Sequence, residues 1–212
     1  MNIRRWYPAL VIGAGFAFSA IVYNRLPSEV PLHWNWQGEV DRYGSRLEGA
    51  FLMPAIAAGL WAMLVFLPRI DPRRANYAKF GGTYGFVING VITMMMVLHV
   101  LILGSVLGWP ISIRRVVPAI VGVMLIVVGN VLPRARSNWW FGVRTPWTLS
   151  NDRVWAKTHR VAGYLLALAG IAMLLSAAFP TLVMSILALS AAVFAAVGSV
   201  VYSYLVWRKE TQ

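Results

Sequence analysis

Three groups of polar residues in this apolar chain carry side chains that could do chemistry. The first is His33 with Glu39 and Asp41, because an imidazole and two carboxylates are common ligands of zinc and other divalent ions. Their spacing fits no established metal motif, so a second interpretation stays open. In it the loop is simply folded, its acids cap or pair with nearby arginines, and its tryptophans rest on the lipid headgroups. Those arginines and tryptophans are Trp34, Trp36, Arg42 and Arg46.

The second group is a single histidine, His99, inside a long apolar segment. An ionisable side chain within a membrane is energetically expensive and is therefore a functional candidate by default. A proton relay would need a carboxylate partner, and no Asp or Glu shares this segment. We therefore favour a structural role, in which a neutral His99 bonds to a neighbouring helix.

The third group is a cationic run between two apolar segments, at residues 133–160. Its guanidinium groups could surround a lipid headgroup, a phosphate or an acidic patch on a partner protein. The alternative is ordinary anchoring at a cytoplasmic membrane surface. Gly142, Pro146 and Asn151 constrain the backbone, which simple anchoring does not require, so both interpretations stay open. The cations are Arg134, Arg136, Arg144, Arg153, Lys157, His159 and Arg160; the aromatic anchors would be Trp139, Trp140, Phe141, Trp147 and Trp155.

Long apolar segments must position these groups. The chain has 212 residues, of which 59% are hydrophobic and 12% charged, too apolar for a soluble domain. Six stretches without Asp, Glu, Lys or Arg each approach the roughly 20 residues that a helix needs to cross a bilayer. We therefore predict an all-α polytopic membrane protein with six transmembrane helices. The stretches are Trp6 to Tyr23, Ala50 to Leu67, Tyr84 to Leu107, Val116 to Leu132, Val161 to Phe179 and Leu182 to Trp207.

Local signals give more detail around the cationic run. Thr145 precedes Pro146 and should be extended. Ser150 or Asn151 should cap a new helix that carries Asp152 in its first turn. This helix should be amphipathic and run from the membrane surface into the bilayer. Its apolar face should hold Val154, Trp155, Thr158, Val161, Ala162 and Leu165.

Small residues line the last two apolar segments and predict that these helices pack against each other as a hairpin. They are Gly163, Ala167, Gly170, Ser185, Ala188, Ala192, Ala195 and Ser199. Two prolines, Pro68 and Pro72, should break any helix in the second loop, residues 68–83.

The net charge of +12 is unevenly distributed. If the N-terminus is cytoplasmic, 14 of the 19 Lys and Arg residues lie on the cytoplasmic side and 5 on the other. This asymmetry follows the positive-inside rule and predicts that both termini are cytoplasmic. The basic character then points to anionic lipid rather than nucleic acid as a partner. The chain has no cysteine, which excludes disulfides and Cys-based metal sites.

Two motifs resemble known sequences. One looks like the signature of the SdpI family, bacterial membrane proteins named for immunity to a secreted sporulation-delaying peptide toxin. It comprises Gly129-Asn130, Leu132-Pro133-Arg134, Arg136, Asn138, Gly142-Val143-Arg144-Thr145-Pro146-Trp147-Thr148-Leu149-Ser150-Asn151, Val154-Trp155 and Lys157-Thr158-His159-Arg160 with Gly163. The other resembles the domain of unknown function that often precedes the SdpI region. It comprises Leu26-Pro27, Val30-Pro31-Leu32-His33-Trp34-Asn35, Gly38-Glu39 and Asp41-Arg42-Tyr43-Gly44-Ser45.

The resemblance implies a protein of the bacterial cytoplasmic membrane that protects the cell envelope from a toxic peptide and draws a repressor-type protein to the membrane. It implies no cofactor, no catalysis and no direct contact with nucleic acid. The residues expected to bind partners on the cytoplasmic side are Arg134, Arg136, Asn138, Arg144, Thr145, Pro146, Trp147, Asn151, Trp155, Lys157, His159 and Arg160. On the other side the motif residues are Pro31, His33, Asn35, Gly38, Glu39 and Asp41.

Two alternatives come from other functional classes. The first is a small transporter or lipid-handling protein in which residues 133–160 grip a phosphate headgroup. The second is a membrane-embedded metalloenzyme that uses His33 with Glu39 and Asp41. In each case we expect two membrane halves, residues 1–115 and 116–212, that form one compact unit.

Overall fold

The computed structural model describes the backbone of residues 3–35 and 37–212, and the side chains from residue 6 onwards within those ranges. Trp36, expected at the headgroups, and the side chains of Arg4 and Arg5, counted as cytoplasmic, lie outside this description. Within those ranges, seven α-helices and one pair of strands form the fold. Their bounds are α1 Ile3–Val22, β1 Glu29–Trp34, β2 Val40–Ser45, α2 Arg46–Ile70, α3 Tyr77–Val106, α4 Ile113–Val131, α5 Pro146–Ser150, α6 Asp152–Ala178 and α7 Leu182–Thr211.

Within the described residues, six helices are long and apolar enough to cross a membrane: α1, α2, α3, α4, α6 and α7. The predicted all-α polytopic fold with six spans is therefore confirmed. Successive spans reverse direction, so the connections alternate between two ends of the bundle. We call the end with residues 71–76 and 132–151 the signature end, and the end with residues 23–45 and 107–112 the hairpin end.

The two strands were not predicted. β1 and β2 pair as an antiparallel hairpin, in which Val30 lies opposite Gly44. Val30 is fully buried against Gly49 of α2, where an added Cβ would come within 2.5 Å of the valine side chain. Ser45 then starts α2 with a capping box, because it accepts from the Glu48 backbone N–H at 3.3 Å while its own N–H donates to the Glu48 carboxylate at 2.7 Å. The hairpin is thus fixed to the start of a span.

The prediction that Pro68 breaks the helix is wrong. Helix α2 continues through Pro68 to Ile70. A proline lacks the N–H that would bond to the carbonyl four residues earlier, here that of Leu64. The Tyr84 hydroxyl of α3 donates to this carbonyl at 2.8 Å. The chain therefore supplies from a neighbouring helix the hydrogen bond that Pro68 removes.

The predicted packing of α6 against α7 is confirmed, but not all of the small residues of α6 face α7. Ala188, Ala195 and Ser199 of α7 are buried, and α6 and α7 do pack together. The glycines of α6 face α4 instead, with which α6 makes its most extensive packing. A Cβ on Gly122 would lie 2.7 Å from the Gly170 carbonyl oxygen, and one on Gly129 would lie 2.5 Å from that of Gly163. In each helix the two glycines lie seven residues apart, so the two backbones come into contact at two points along the helix pair.

The remaining spans form a second group, since α1, α2 and α3 pack against one another and α3 also packs against α4. A core of Ile12, Phe80, Ile88, Ile92 and neighbouring apolar residues fills this group near the signature end. Ala135, Phe141 and Trp155 extend into the same core from the cationic segment and α6. The segment that resembles the family signature is therefore packed into the bundle and does not lie loosely on its surface.

Candidate functional site

Asp71 organises the contact between the two connections at the signature end. Its side chain is 2% exposed and accepts three hydrogen bonds: from the Arg73 backbone N–H at 2.7 Å, from the Tyr77 hydroxyl at 3.0 Å and from the Trp139 backbone N–H at 2.9 Å. A buried carboxylate is tolerated when its oxygens are satisfied in this way. Asp71 thereby joins residues 71–77 to residues 133–160, which we call the signature segment.

Two further side chains strengthen this contact. The Arg73 guanidinium donates to the Ser137 hydroxyl and to the Leu149 carbonyl. Asn76 donates to the Ser137 carbonyl at 2.7 Å. Sequence reasoning missed Asp71, Arg73 and Asn76 as functional residues and read this connection only as a basic loop. The available signal was the acidic Asp71, which stands alone among the basic residues of that loop.

Asn138 shapes the start of the signature segment. It is fully buried, and its amide donates to the carbonyls of Arg136 at 2.8 Å and Phe141 at 3.0 Å. Its carbonyl oxygen accepts from the backbone N–H groups of Trp140 at 2.9 Å and Phe141 at 2.7 Å. Its carbonyl oxygen also accepts from the Tyr77 hydroxyl of α3 at 3.4 Å. With all of its donors and acceptors occupied within the protein, Asn138 has a structural role.

His159 is the centre of the segment's interior. It is fully buried and stacks on Trp155, with 3.9 Å between ring centroids. Nε2 accepts from the Val143 N–H at 3.0 Å, so Nδ1 carries the proton and donates to the Trp155 carbonyl at 2.8 Å. The preceding Gly142 has φ +110°, and a Cβ there would collide with Nε2. The expectation that His159 joins a cationic surface is therefore wrong.

Trp155 is an interior residue and not the interfacial anchor that the sequence suggested, whereas Trp147 is partly buried against α7. Trp155 is 2% exposed and donates from Nε1 to the Ala135 carbonyl at 2.9 Å. Trp147 donates to the Ser203 hydroxyl of α7 and packs against Tyr204, with ring centroids 5.3 Å apart. These contacts dock the signature segment onto α6 and α7.

The caps of the segment form much as predicted. Thr145 is extended, with φ −115° and ψ 161°, and caps the short helix α5 with Pro146 in its first turn. The short helix itself was not predicted. Asn151 then caps α6 by accepting from the N–H groups of Arg153 at 2.8 Å and Val154 at 3.3 Å. Val154, Trp155, Thr158 and Ala162 are buried on the predicted apolar face of this helix.

The cations of the segment form the other half of the site. Arg144 donates to the Trp139 carbonyl at 2.8 Å but is exposed. Lys157 pairs with Glu210 near the end of α7. Between residues 133 and 160 the exposed arginines are Arg134, Arg136, Arg144, Arg153 and Arg160. The signature thus divides into a buried scaffold and an exposed cationic surface, and only the surface can receive a partner without unfolding the segment.

At the hairpin end, His33 and Asp41 form an exposed pair, with 2.6 Å between Nδ1 and Oδ1. Glu39 points elsewhere and accepts from the Asn35 amide at 3.3 Å. The Asn35 side chain accepts from the Gln37 and Glu39 backbone N–H groups, which forms an Asx-type turn. Within residues 3–35 and 37–212, no three His, Asp or Glu side chains cluster closely enough to hold a metal ion.

The remaining motif residues of the hairpin have local structural positions. Gly38 has φ +80° and completes the turn, a conformation that side chains rarely adopt. Pro31 lies in β1 opposite Tyr43. The hairpin therefore displays a polar tip whose shape is set by Asn35 and Gly38.

His99 bonds to a neighbouring helix, as its structural interpretation required. Its Nε2 lies 2.7 Å from the hydroxyl of Ser19 in α1, and that hydroxyl donates to the Ala50 carbonyl at 2.6 Å. The side chain is 2% exposed. His99 thus joins α1, α2 and α3 through one buried chain of hydrogen bonds.

This architecture defines a multi-pass membrane protein built around a folded signature segment. Residues 134–204 match the SdpI/YfhL protein family model, and residues 10–58 match a domain of unknown function, DUF1648. The resemblance derived from the sequence is thereby confirmed, because a region that matches the SdpI/YfhL model follows one that matches DUF1648. The first match includes the signature motif from Arg134 onwards, and the second includes the motif of the hairpin.

Among known proteins, the chain is similar to the immunity protein SdpI of Bacillus subtilis (strain 168). The two are 26% identical over 161 residues, which cover 76% of this chain and 75% of the relative. No solved structure is significantly similar to this fold. The similarity supports a membrane protein of the immunity type.

Proposed function

We propose that this protein protects the cell that makes it from a secreted toxic peptide, and that its signature end recruits a cytoplasmic regulator. The observation that carries the proposal is the similarity to a protein named for immunity, which extends over three quarters of both chains. The matched families include both the hairpin and the signature segment. A protein that senses a peptide on one side of the membrane and signals on the other needs a folded element at each end.

The structure supports a regulator-binding role for the exposed arginines rather than for the whole signature. Arg144 is held in place because its backbone follows Gly142 and Val143, which bond to and pack against His159. One arm of its guanidinium donates to the Trp139 carbonyl, so other donors remain for a partner carboxylate or phosphate. A planar guanidinium can make both contacts at once, whereas a lysine ammonium lacks this fixed geometry.

The proposal is tested by expressing the protein in a toxin-sensitive strain and scoring survival with and without the peptide. We expect wild type to protect. In the cell that makes the protein, which holds the regulator, we expect Arg144→Lys to lose the transcriptional response to the peptide nearly as fully as Arg144→Ala at equal membrane expression. Arg153→Lys is the matched control, since Arg153 is exposed at the start of α6 and donates no side-chain hydrogen bond to the described residues. Survival no better than an empty vector would refute the immunity function. An undiminished transcriptional response in Arg144→Lys would refute the specific role of Arg144.

We further propose that the protein lies in the bacterial cytoplasmic membrane with both termini in the cytoplasm. The excess of cations at the signature end supports this orientation. Reporter fusions after Glu48 and Arg114 should then report the outside, and fusions after Arg74, Arg144 and Arg208 the cytoplasm. A cytoplasmic signal from the Glu48 fusion would contradict the orientation.

A further inference from the structure

A cavity of about 480 Å³ lies beneath the hairpin, between the two groups of spans. Leu98 and Ile102 of α3 form one wall, Val117 and Val121 of α4 a second, and Met173 of α6 a third. The cavity extends along α4 from Ile113 to Val121, a depth of about 12 Å at 1.5 Å per residue. Since all of these residues belong to transmembrane spans or their ends, the cavity lies at membrane depth.

The mouth of the cavity is cationic. Arg114 lines it, and its side-chain stem packs on the bare backbone of Gly38, where a Cβ would lie 2.9 Å from the arginine Cγ. Two acids of the hairpin have other partners, because Asp41 pairs with His33 and Glu39 accepts from Asn35. Across the described residues, the Arg114 guanidinium donates no hydrogen bond and forms no ion pair. An anionic group at the mouth would therefore complement it.

The cavity is also continuous with the outer surface of the bundle. Leu189 of α7 is 49% exposed and belongs both to the cavity wall and to an apolar groove on the outer face of α7, with Val193 and Phe194. A ligand could therefore enter sideways from the hydrocarbon layer as well as from the aqueous end.

The lining selects a hydrocarbon chain over a peptide. An extended peptide would need hydrogen-bond partners for its backbone in a largely apolar space. Ser185 is among the few polar residues in the wall, and its hydroxyl already donates to the Thr181 carbonyl at 3.1 Å. An acyl chain needs no such partners.

We propose that this cavity binds one acyl chain of an anionic phospholipid from the leaflet at the hairpin end, with the lipid phosphate held by Arg114. The site is formed by both matched regions together with α3 and α4, which lie between them in the chain and include Arg114 and Val121. The proposal stands whether or not the immunity function is correct.

The test uses full-length protein in vesicles that contain phosphatidylglycerol with a photoreactive group on its acyl chain. Mass spectrometry then maps the residues that become labelled. We expect labelling between Val117 and Val121 and at Met173. Val121→Phe should fill the cavity and reduce this labelling about tenfold, whereas Val123→Phe should not, because Val123 is 52% exposed on the same helix.

The role of the Arg114 charge is tested with Arg114→Gln, which should also reduce labelling about tenfold. The control is Arg115→Gln, which removes the charge of the neighbouring exposed arginine and should leave labelling unchanged. Photoreactive phosphatidylcholine should label the cavity weakly, and inorganic phosphate should not compete. Equal labelling by the two lipids, or equal labelling of Val121→Phe and Val123→Phe, would overturn the proposal. An apolar peptide that labels the cavity and displaces the lipid would also overturn the proposal. If Val121→Phe fails to fold, the comparison of lipids on wild type decides the question.

Discussion

The two groups of spans meet differently at the two ends of the molecule. At the signature end, Asp71 and Arg73 bond directly to residues 137–149, and Trp155 fills the core beneath them. At the hairpin end, α3 is separated from α6 and α7 by a cavity that the hairpin covers. One junction is closed by buried polar groups with defined partners, and the other is left open.

This difference indicates how the two motifs are used. Buried hydrogen-bonded groups fix a single arrangement, because each lost partner leaves an unsatisfied donor or acceptor in the interior. An apolar cavity with an open mouth imposes no such constraint. We therefore expect substitutions at the signature end to affect folding strongly, and substitutions at the hairpin end to affect mainly what the protein binds.

The largest expected contrast involves two glycines with positive φ, one at each end. Gly142→Ala should destabilise the protein by about 4 kcal/mol, because it adds backbone strain to a collision with His159. Gly108 has φ +88°, but no atom lies within 4 Å of the Cβ that Gly108→Ala would add. This variant should therefore lose about 1–2 kcal/mol of stability, from backbone strain alone. Thermal unfolding in detergent, followed by fluorescence, measures both variants. Equal losses would show that the packing around His159 contributes nothing.

A smaller contrast involves two aspartates. Asp71→Asn should cost about 2 kcal/mol, because an amide nitrogen cannot accept the bonds that a buried carboxylate oxygen receives from Tyr77 and Trp139. Asp41→Asn should cost less than about 1 kcal/mol, since its pair with His33 is exposed to solvent. The same unfolding measurement compares them. A more damaging Asp41→Asn would reverse our assignment of the fixed and open ends.

The smallest effect is expected for His33→Ala. The His33 side chain is 65% exposed, and an exposed ion pair contributes little to stability. The unfolding temperature of His33→Ala should therefore lie within about 1 °C of that of wild type. Elemental analysis of purified protein sharpens the result, since we expect zinc well below one per chain in both forms. Stoichiometric zinc that disappears in His33→Ala would instead restore the metal site considered for this loop.

The sequence predicted the spans well, because apolar stretches without charge and long enough to cross a bilayer rarely form any other structure. It also predicted the cap of α6, since Asn151 acts on residues two and three positions away. The hydrogen bond from the Trp139 N–H to Asp71 joins residues 68 positions apart, and no local sequence pattern predicts such a contact. His159 was misjudged because Lys157 and Arg160 surround it, although it lies four residues after Trp155 and next to the apolar face of the helix.

The hairpin escaped prediction for a related reason. Pro31 and Gly44 are poor strand formers, and the register shifts next to His33 interrupt any alternation of apolar and polar residues. What holds the strands is the burial of Val30 against Gly49, a contact with the following helix rather than a property of the strands.

The glycine crossing of α4 and α6 has a consequence for the order in which the molecule is made. Gly129 precedes Gly163 by 34 residues, so α4 reaches the membrane before the surface that matches it exists. At a synthesis rate of about 5–20 residues per second, α4 must wait roughly 2–7 s for its partner glycine. During that interval the bare backbone of α4 faces lipid, and any other helix with a small-residue face is a competitor for it.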